Sequence, residues 1–244
     1  VKITDALWEK RNLGVSCTEL VIEARDDLED VRSAVEGLPQ GYHVIKVPVG
    51  RYDLMSQLEQ VGFSFIEGSI RVRHDLDVRR PAGLFKRMID ASSTRTIELD
   101  EIERVADEIR AGLFTTDRVF LDPHFTAVQA AGRYVNWMHD ELARGGSVHE
   151  LSMSGRGVGF FVFRQDDEGV GYSILSGLYE VARSPGLGSV LLHTILAEAV
   201  RRRLRLVSSY ISTNNLPVIK THIDQGFTIV DLHYVYVRMA TASA

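Results

Sequence analysis

Two short stretches of this chain follow the same pattern. Leu58-Glu-Gln-Val-Gly-Phe63 runs into Ser64-Phe-Ile-Glu67, and His222-Ile-Asp-Gln-Gly-Phe227 runs into Thr228-Ile-Val-Asp231. Each reads as the end of a helix, a glycine, a phenylalanine and a strand, with another strand ahead of the helix. The glycine suits the left-handed residue that closes a helix. Two copies of one unit imply that the first part of the chain is a partial, degenerate version of the second. Helix–Gly–strand punctuation is common in α/β proteins, so a chance likeness is the competing reading.

Periodicity fills in the rest. Strands are expected at 19–23, 41–49 and 63–73, the last as one long strand or a pair. Helices are expected at 26–36 and 52–61. Residues 75–100, with Pro81 and Ser92-Ser-Thr94, read as a polar connection between two domains, 1–90 and 91–244. Beyond it come helices at 100–113 and 129–144, then a hairpin of 148–153 and 158–164. A strand at 170–179, a glycine loop and a helix at 183–203 follow. A strand at 205–212, a helix at 216–225 and a strand at 227–238 complete the pattern. The class is α/β (α+β), with a smaller α/β domain ahead of a larger one.

Of the 244 residues, 45% are hydrophobic and 25% charged, which are ordinary globular values. The net charge of -5 gives no footprint for nucleic acid. The basic run Arg201, Arg202, Arg203 and Arg205 fits the cation-favouring end of a helix. The single cysteine, Cys17, precludes an intramolecular disulfide or a cysteine zinc cluster and agrees with a reducing cytoplasm. No apolar stretch is long enough to span a bilayer, and no secretory apolar segment is visible near Val1. The histidines are scattered without metal-ligand spacing, so no metal is expected.

The strongest local motif is Arg183-Ser-Pro-Gly-Leu-Gly188, set between a strand and the helix that begins Ser189-Val-Leu-Leu. Glycines let a ligand approach the backbone, and free N–H groups at a helix start favour an anion such as a pyrophosphate. A tight turn holding nothing is the plain alternative. Downstream, Asn214-Asn215 precedes a helix with Pro217 in its first turn, as capping alone would explain.

This order of R-x-x-G-x-G loop, helix, strand, asparagine, short helix, Gly-Phe and strand resembles the GNAT acetyltransferase superfamily over residues 100–238. The two-part layout is similar to bacterial dTDP-amino-sugar N-acetyltransferases of the dTDP-fucosamine type, through Gly14-Val15, the strand at 44–49 and residues 58–67. The resemblance implies a GNAT fold with a mixed, mainly antiparallel central sheet, preceded by a smaller α/β domain resembling a partial GNAT half, and acetyl-CoA as co-substrate. Its pyrophosphate would lie on Gly186, Leu187, Gly188 and Ser189, with Arg183 beside it. Its pantetheine arm would run along Ser176, Leu178 and Tyr179, and Asn215 and Val218 would lie near it.

In the family a tyrosine often protonates the leaving thiolate; here His222 stands at that place. It can serve as the acid or pack in the core, as Leu58 does in the echo. Glu180 is the candidate base, or else a solvated carboxylate. Arg118, Asp122 and His124, in a loop resembling the family's acceptor segment, either contact the acceptor or hold the loop. The expected activity is N-acetylation of a small-molecule amine, led by a nucleotide-linked amino sugar. An amino acid, amine or peptide acceptor is the alternative, and a non-catalytic acyl-CoA binder is the reading from another class. A homodimer is compatible with this reading; membrane and nucleic-acid partners are not expected.

Overall fold

The computed structural model describes residues 1–78, 80–182 and 184–240. Its strands are β1 (Lys2–Asp5), β2 (Cys17–Val21), β3 (Gly41–Pro48), β4 (Ser64–His74), β5 (Ser92–Thr96), β6 (Ser147–Met153), β7 (Arg156–Gln165), β8 (Val170–Leu178), β9 (Leu206–Ser212) and β10 (Thr228–Ala240). They form one ten-stranded sheet in the order β1-β2-β3-β10-β4-β9-β8-β7-β6-β5. Only the pairs β2/β3 and β8/β9 are parallel, so the sheet is mixed and mainly antiparallel.

The helices are α1 (Leu7–Leu13), α2 (Leu28–Glu36), α3 (Tyr52–Gln60), α4 (Gly83–Asp90), α5 (Ile102–Arg110), α6 (Arg118–Leu121), α7 (Ala127–Ala143), α8 (Leu187–Arg201) and α9 (Leu216–Asp224). Strand alternation sorts them into two layers. On β10, Leu232, Tyr234 and Tyr236 join the clusters under α2, α3, α8 and α9, while Val235 and Val237 join the one under α1, α6 and α7. On β7, Phe161 and Phe163 face α8, and Phe160 and Val162 face α5 and α7. Each face is thus apolar, and helices cover both.

The sequence echo is a real two-fold relation. When Phe63 is matched to Phe227, α3 falls on α9 and β3 on β9 without insertion. The pairing of β4 with β10 obeys the same rule. Thr228 opposite Arg73 becomes Val237 opposite Ser64, Ile229 opposite Val72 becomes Tyr236 opposite Phe65, and His233 opposite Ser69 maps onto itself. The two register shifts on this pair also exchange. Pro48 opposite His233 maps to Ser212 opposite Ser69, and the correspondence holds along β3/β10 and β4/β9. The final strand of each half therefore lies inside the other: β10 between β3 and β4, and β4 between β9 and β10.

The connecting segment holds more structure than its polar composition suggests. Phe85, Met88 and Ile89 of α4 pack on the cluster around α8. β5 is nearly all exposed and pairs only with β6, so it lacks the apolar alternation that marks a half-buried strand. The seven-residue α1 also lay outside the expected elements; Gly14, in the left-handed region at φ 76°, closes it.

Candidate acyl-CoA site

The site begins with a fork. Parallel β8 and β9 pair at Val170/Leu206, Gly171/Val207 and Tyr172/Ser208, and no further. Immediately beyond, β8 carries a bulge: Phe163 faces Ser173 and Val162 faces Leu175, leaving Ile174 as the extra residue. A bulge bends its strand and breaks the ladder, so β8 turns away from β9. Ser209 Oγ donates to Ser173 O at 2.9 Å across the narrow end. Past this point, the edge of β8 that carries Ser176 and Leu178 faces the fork with no strand opposite. Its backbone polar groups are available to an extended amide ligand.

On the α7 side the open end is bridged by residues 113–116. A Cβ on Gly177 would come within 2.6 Å of Leu113 Cδ2, so the absent side chain makes room for this bridge. At the other bank Ser212 Oγ donates to Thr116 O at 2.9 Å, and Asn215 Nδ2 to Thr116 Oγ1 at 3.4 Å. Asn215 also caps α9, its Oδ1 accepting from Val218 N at 3.3 Å. Asn215 thus caps α9 and also bonds the 113–116 bridge.

The N-terminus of α8 stands above the fork. Gly186 is its N-cap at φ 87°, a conformation a side chain rarely adopts, and no side chain caps the helix. A Cβ on Gly188 would meet nothing within 4 Å, so open space lies against the first turn. Uncapped N–H groups, the helix dipole and free room are the features that favour an anion. Leu187 is buried under the turn, and Ser189 is half-buried. Arg183, expected beside the pyrophosphate, lies outside the described residues.

The matching place in the N-terminal half is closed. β2 and β3 stay paired through Val21/Lys46, and Ile22 N donates to Lys46 O at 2.9 Å. In the two-fold match Val44 corresponds to Ser208, so this pair continues two residues past the point where the other parts. Asp27 caps α2 through Glu29 N at 2.8 Å, which puts a carboxylate where an anion would bind. Arg51, the counterpart of Asn215, donates to Asp26 O at 2.8 Å and closes the loop.

The expected catalytic groups fall in different surroundings. His222 is 6% exposed; its Nδ1 donates to Val218 O at 2.8 Å and its ring packs against Phe227. Burial pushes the imidazole down to about 4, so it is neutral at pH 7. This geometry favours packing over acid catalysis, as does Leu58 (2% exposed) at the matching position. Tyr179 is buried and donates to Glu150 Oε1 at 3.0 Å; burial, then the Glu150 charge, raise its hydroxyl. Glu180 is exposed and opens a single 3-10 turn, Glu180–Ala182.

Arg118 and Asp122 tie the loop at 114–125 to the N-terminal half, and His124 leans on Asp122. Arg118 Nη2 donates to buried Glu9 at 2.7 Å, and Arg133 Nε donates to the same carboxylate at 2.8 Å. Asp122 accepts from Tyr42 OH at 2.9 Å and from the His124 backbone N–H at 3.0 Å. The His124 ring is half exposed, with Nδ1 2.7 Å from Asp122 Oδ1.

Two features leave no local mark in the sequence. A cavity of about 220 Å³ opens on the α7 side of the sheet at the closed end of the fork, lined by Arg71, Arg73, Tyr172 and Ser208 among others. Glu67, on β4, is buried beside Ser212 and Arg118. The echo quoted Glu67, but only a strand carried into the other half brings it here.

No family model matches the sequence, and no curated protein does. Solved structures do match. A GCN5-related N-acetyltransferase from Sphaerobacter thermophilus superposes with a TM-score of 0.66 at 13% identity, covering 96% of this chain and 76% of that one. A tandem GNAT protein from the clavulanic acid biosynthesis pathway gives 0.57 at 12%, covering 94% and 79%. A GCN5-related N-acetyltransferase from Kribbella flavida gives 0.54 at 14%, covering 93% and 82%. The chain has the GNAT fold. At these identities the likeness speaks for architecture, and the two-fold relation described above agrees with the tandem form of one of these neighbours. Among the described residues, no cluster of metal-ligating side chains occurs, and no helix is long and apolar enough to cross a membrane.

Proposed function

We propose that the chain transfers an acetyl group from acetyl-CoA to the amine of a small molecule. The observation that carries this reading is the contrast between the halves. The C-terminal half has a forked β8/β9 under an uncapped helix, whereas the N-terminal half has the same elements paired, capped and filled. The pantetheine amides pair with the free edge of β8, and the pyrophosphate lies on the first turn of α8 about Gly186, Leu187, Gly188 and Ser189. The bulge at Ile174 places unpaired backbone donors at the narrow end, where a thioester carbonyl gains charge as the amine attacks. A thiol with an ordinary pKa near 8.5 leaves as thiolate without a strong acid, which suits the neutral, buried His222.

The acceptor approaches from the α7 side, where the cavity with Arg71 and Arg73 lies. Two guanidinium groups suit an acceptor that carries a phosphate or carboxylate, and a nucleotide-linked amino sugar leads the candidates. Thiol release from acetyl-CoA over a panel of dTDP-amino sugars, amino acids and polyamines tests the reading, with CoA binding followed by calorimetry. Release with an amino sugar supports both the activity and the acceptor class. Release with other amines alone moves the acceptor class, and failure to bind CoA refutes the proposal.

A further inference from the structure

The cavity beside Arg71 and Arg73 has a counterpart in the N-terminal half, and the two differ in kind. Under the two-fold match Arg71 and Arg73 of β4 fall on Val235 and Val237 of β10, Ser208 falls on Val44, and Leu206 on Tyr42. Those four counterparts belong to the buried cluster under α1, α6 and α7. Tyr172 falls on Glu19, which pairs with Lys46 at 2.9 Å. The chain connections explain the difference. Residues 6–16 join β1 to β2 and carry α1, whose Leu13, with Ala6 ahead of the helix, seals that cluster. The equivalent strands β7 and β8 are joined by the short turn at 166–169, so this face of β4, β9 and β8 stays open.

Solvation alone would ask only for polar side chains on an open face. Here two cations stand together at the rim of a 220 Å³ cavity. Arg71 and Arg73 are two residues apart on one strand, so both point to the same side. Arg73, Ser208 and Tyr172 form one row across β4, β9 and β8, and the narrow end of the fork lies directly past that row. Tyr172 is held by donating its hydroxyl to Asp166 at 2.8 Å, with the Arg164 guanidinium 5.0 Å above its ring. The facing carboxylates are Asp75, 3.0 Å from Arg73, and Asp231, 3.8 Å from Arg71 and 3.7 Å from His233. Ion pairs this open to solvent are weak and exchange readily for a multiply charged anion. A carboxylate fills one guanidinium fork, whereas a phosphate has oxygens for two.

Spacing narrows the class further. β4 lies one strand beyond β9, so an anion on these guanidinium groups stands roughly 7–10 Å from an amine above the fork. An α-amino acid carries its carboxylate beside its nitrogen and cannot bridge that gap. Resting on the acetyltransferase reading, we propose that Arg71 and Arg73, supplied by the N-terminal half, select an acceptor whose phosphate stands at least the width of a sugar ring from its amine. The half whose own fork is closed serves as the wall that reads the acceptor.

The test uses the full chain and three acceptors: ω-aminohexyl phosphate, hexylamine and aminoethyl phosphate. Each is titrated into the CoA-loaded protein by calorimetry, and thiol release from acetyl-CoA gives kcat/KM for each. The wild type is expected to favour aminohexyl phosphate over both others by about tenfold or more. In the double variant Arg71→Gln, Arg73→Gln the preference over hexylamine is expected to shrink to within about twofold, chiefly through KM, while CoA affinity and melting temperature hold. Arg71→Lys with Arg73→Lys, which keeps the charge, is expected to restore part of it. A wild type that treats aminohexyl phosphate and hexylamine alike, or binds neither, overturns the assignment and leaves the transferase reading standing. A preference that survives the double glutamine variant does the same, and equal preference for aminoethyl phosphate overturns the spacing. A wild type that binds no CoA and releases no thiol with any amine overturns the transferase reading, and this assignment with it.

Discussion

Replacing His222 with leucine separates packing from catalysis, and its effect on stability can be worked out from the fold. The imidazole is 6% exposed, and burial holds it at about 4 against 6.5 for the free side chain. The folded value is depressed, so the neutral ring is favoured in the native state. Its contribution is fully present above pH 6.5 and drains away as pH falls toward 4, because the unfolded chain takes up a proton that the native chain refuses. Between pH 7.5 and pH 5 this linkage removes about 2 kcal/mol of stability. H222L abolishes it. At pH 7.5 the variant loses the bond to Val218 O, worth about 1 kcal/mol, and regains part of that by burying an apolar side chain. Denaturant unfolding at both pH values measures the difference directly. The expected outcome is a fall in stability about 2 kcal/mol smaller for H222L than for the wild type, with kcat within a few-fold. Equal falls in the two proteins would refute the buried neutral histidine. A hundredfold loss of kcat with CoA affinity intact would return His222 to the role of thiolate acid.

Gly188→Asp adds a carboxylate in open space at the start of α8, so the melting temperature is expected to hold while CoA affinity in calorimetry falls at least tenfold; retained affinity would remove the pyrophosphate from that turn. Arg118→Ala leaves the buried Glu9 half-paired, an expected loss of about 3–5 kcal/mol in denaturant unfolding; a loss below 1 kcal/mol would show that Arg133 alone suffices. Tyr179→Phe removes the bond to Glu150 and is expected to cost about 1 kcal/mol of stability with little change in turnover; a large kcat effect at unchanged stability would make the hydroxyl catalytic.

Local sequence carries much of this design and stops at identifiable points. The helix–Gly-Phe–strand echo was readable because punctuation residues occupy equivalent turns in both halves. That β4 and β10 exchange places was not readable, since strand pairing is set by partners far along the chain and no local pattern names them. The glycine loop before α8 advertises an anion site in its own residues. The fork depends on the bulge at Ile174, and a bulge leaves little trace in alternation. For Arg118 and Asp122 the sequence leaves acceptor contact and loop holding equally open, because a polar residue in a loop shows no partner in sequence; Glu9 and Tyr42 supply such partners from the N-terminal half. Glu67 is hidden for the opposite reason, because its strand pairs with β9 and β10 of the other half, which no local pattern names.

The interlocked strands also set the order in which the chain can become whole. During synthesis β3 and β4 leave the ribosome with a vacancy between them that only β10, made more than 150 residues after β4, can fill. Until then two neighbouring strand edges and the apolar side chains Ile45, Val47 and Phe63 are without their final cover. Such edges are templates for pairing with other chains, and closing a sheet over so long a loop is slow. An incomplete chain is therefore expected to expose those edges until β10 arrives, a stage in which a chaperone that holds exposed strands would limit aggregation.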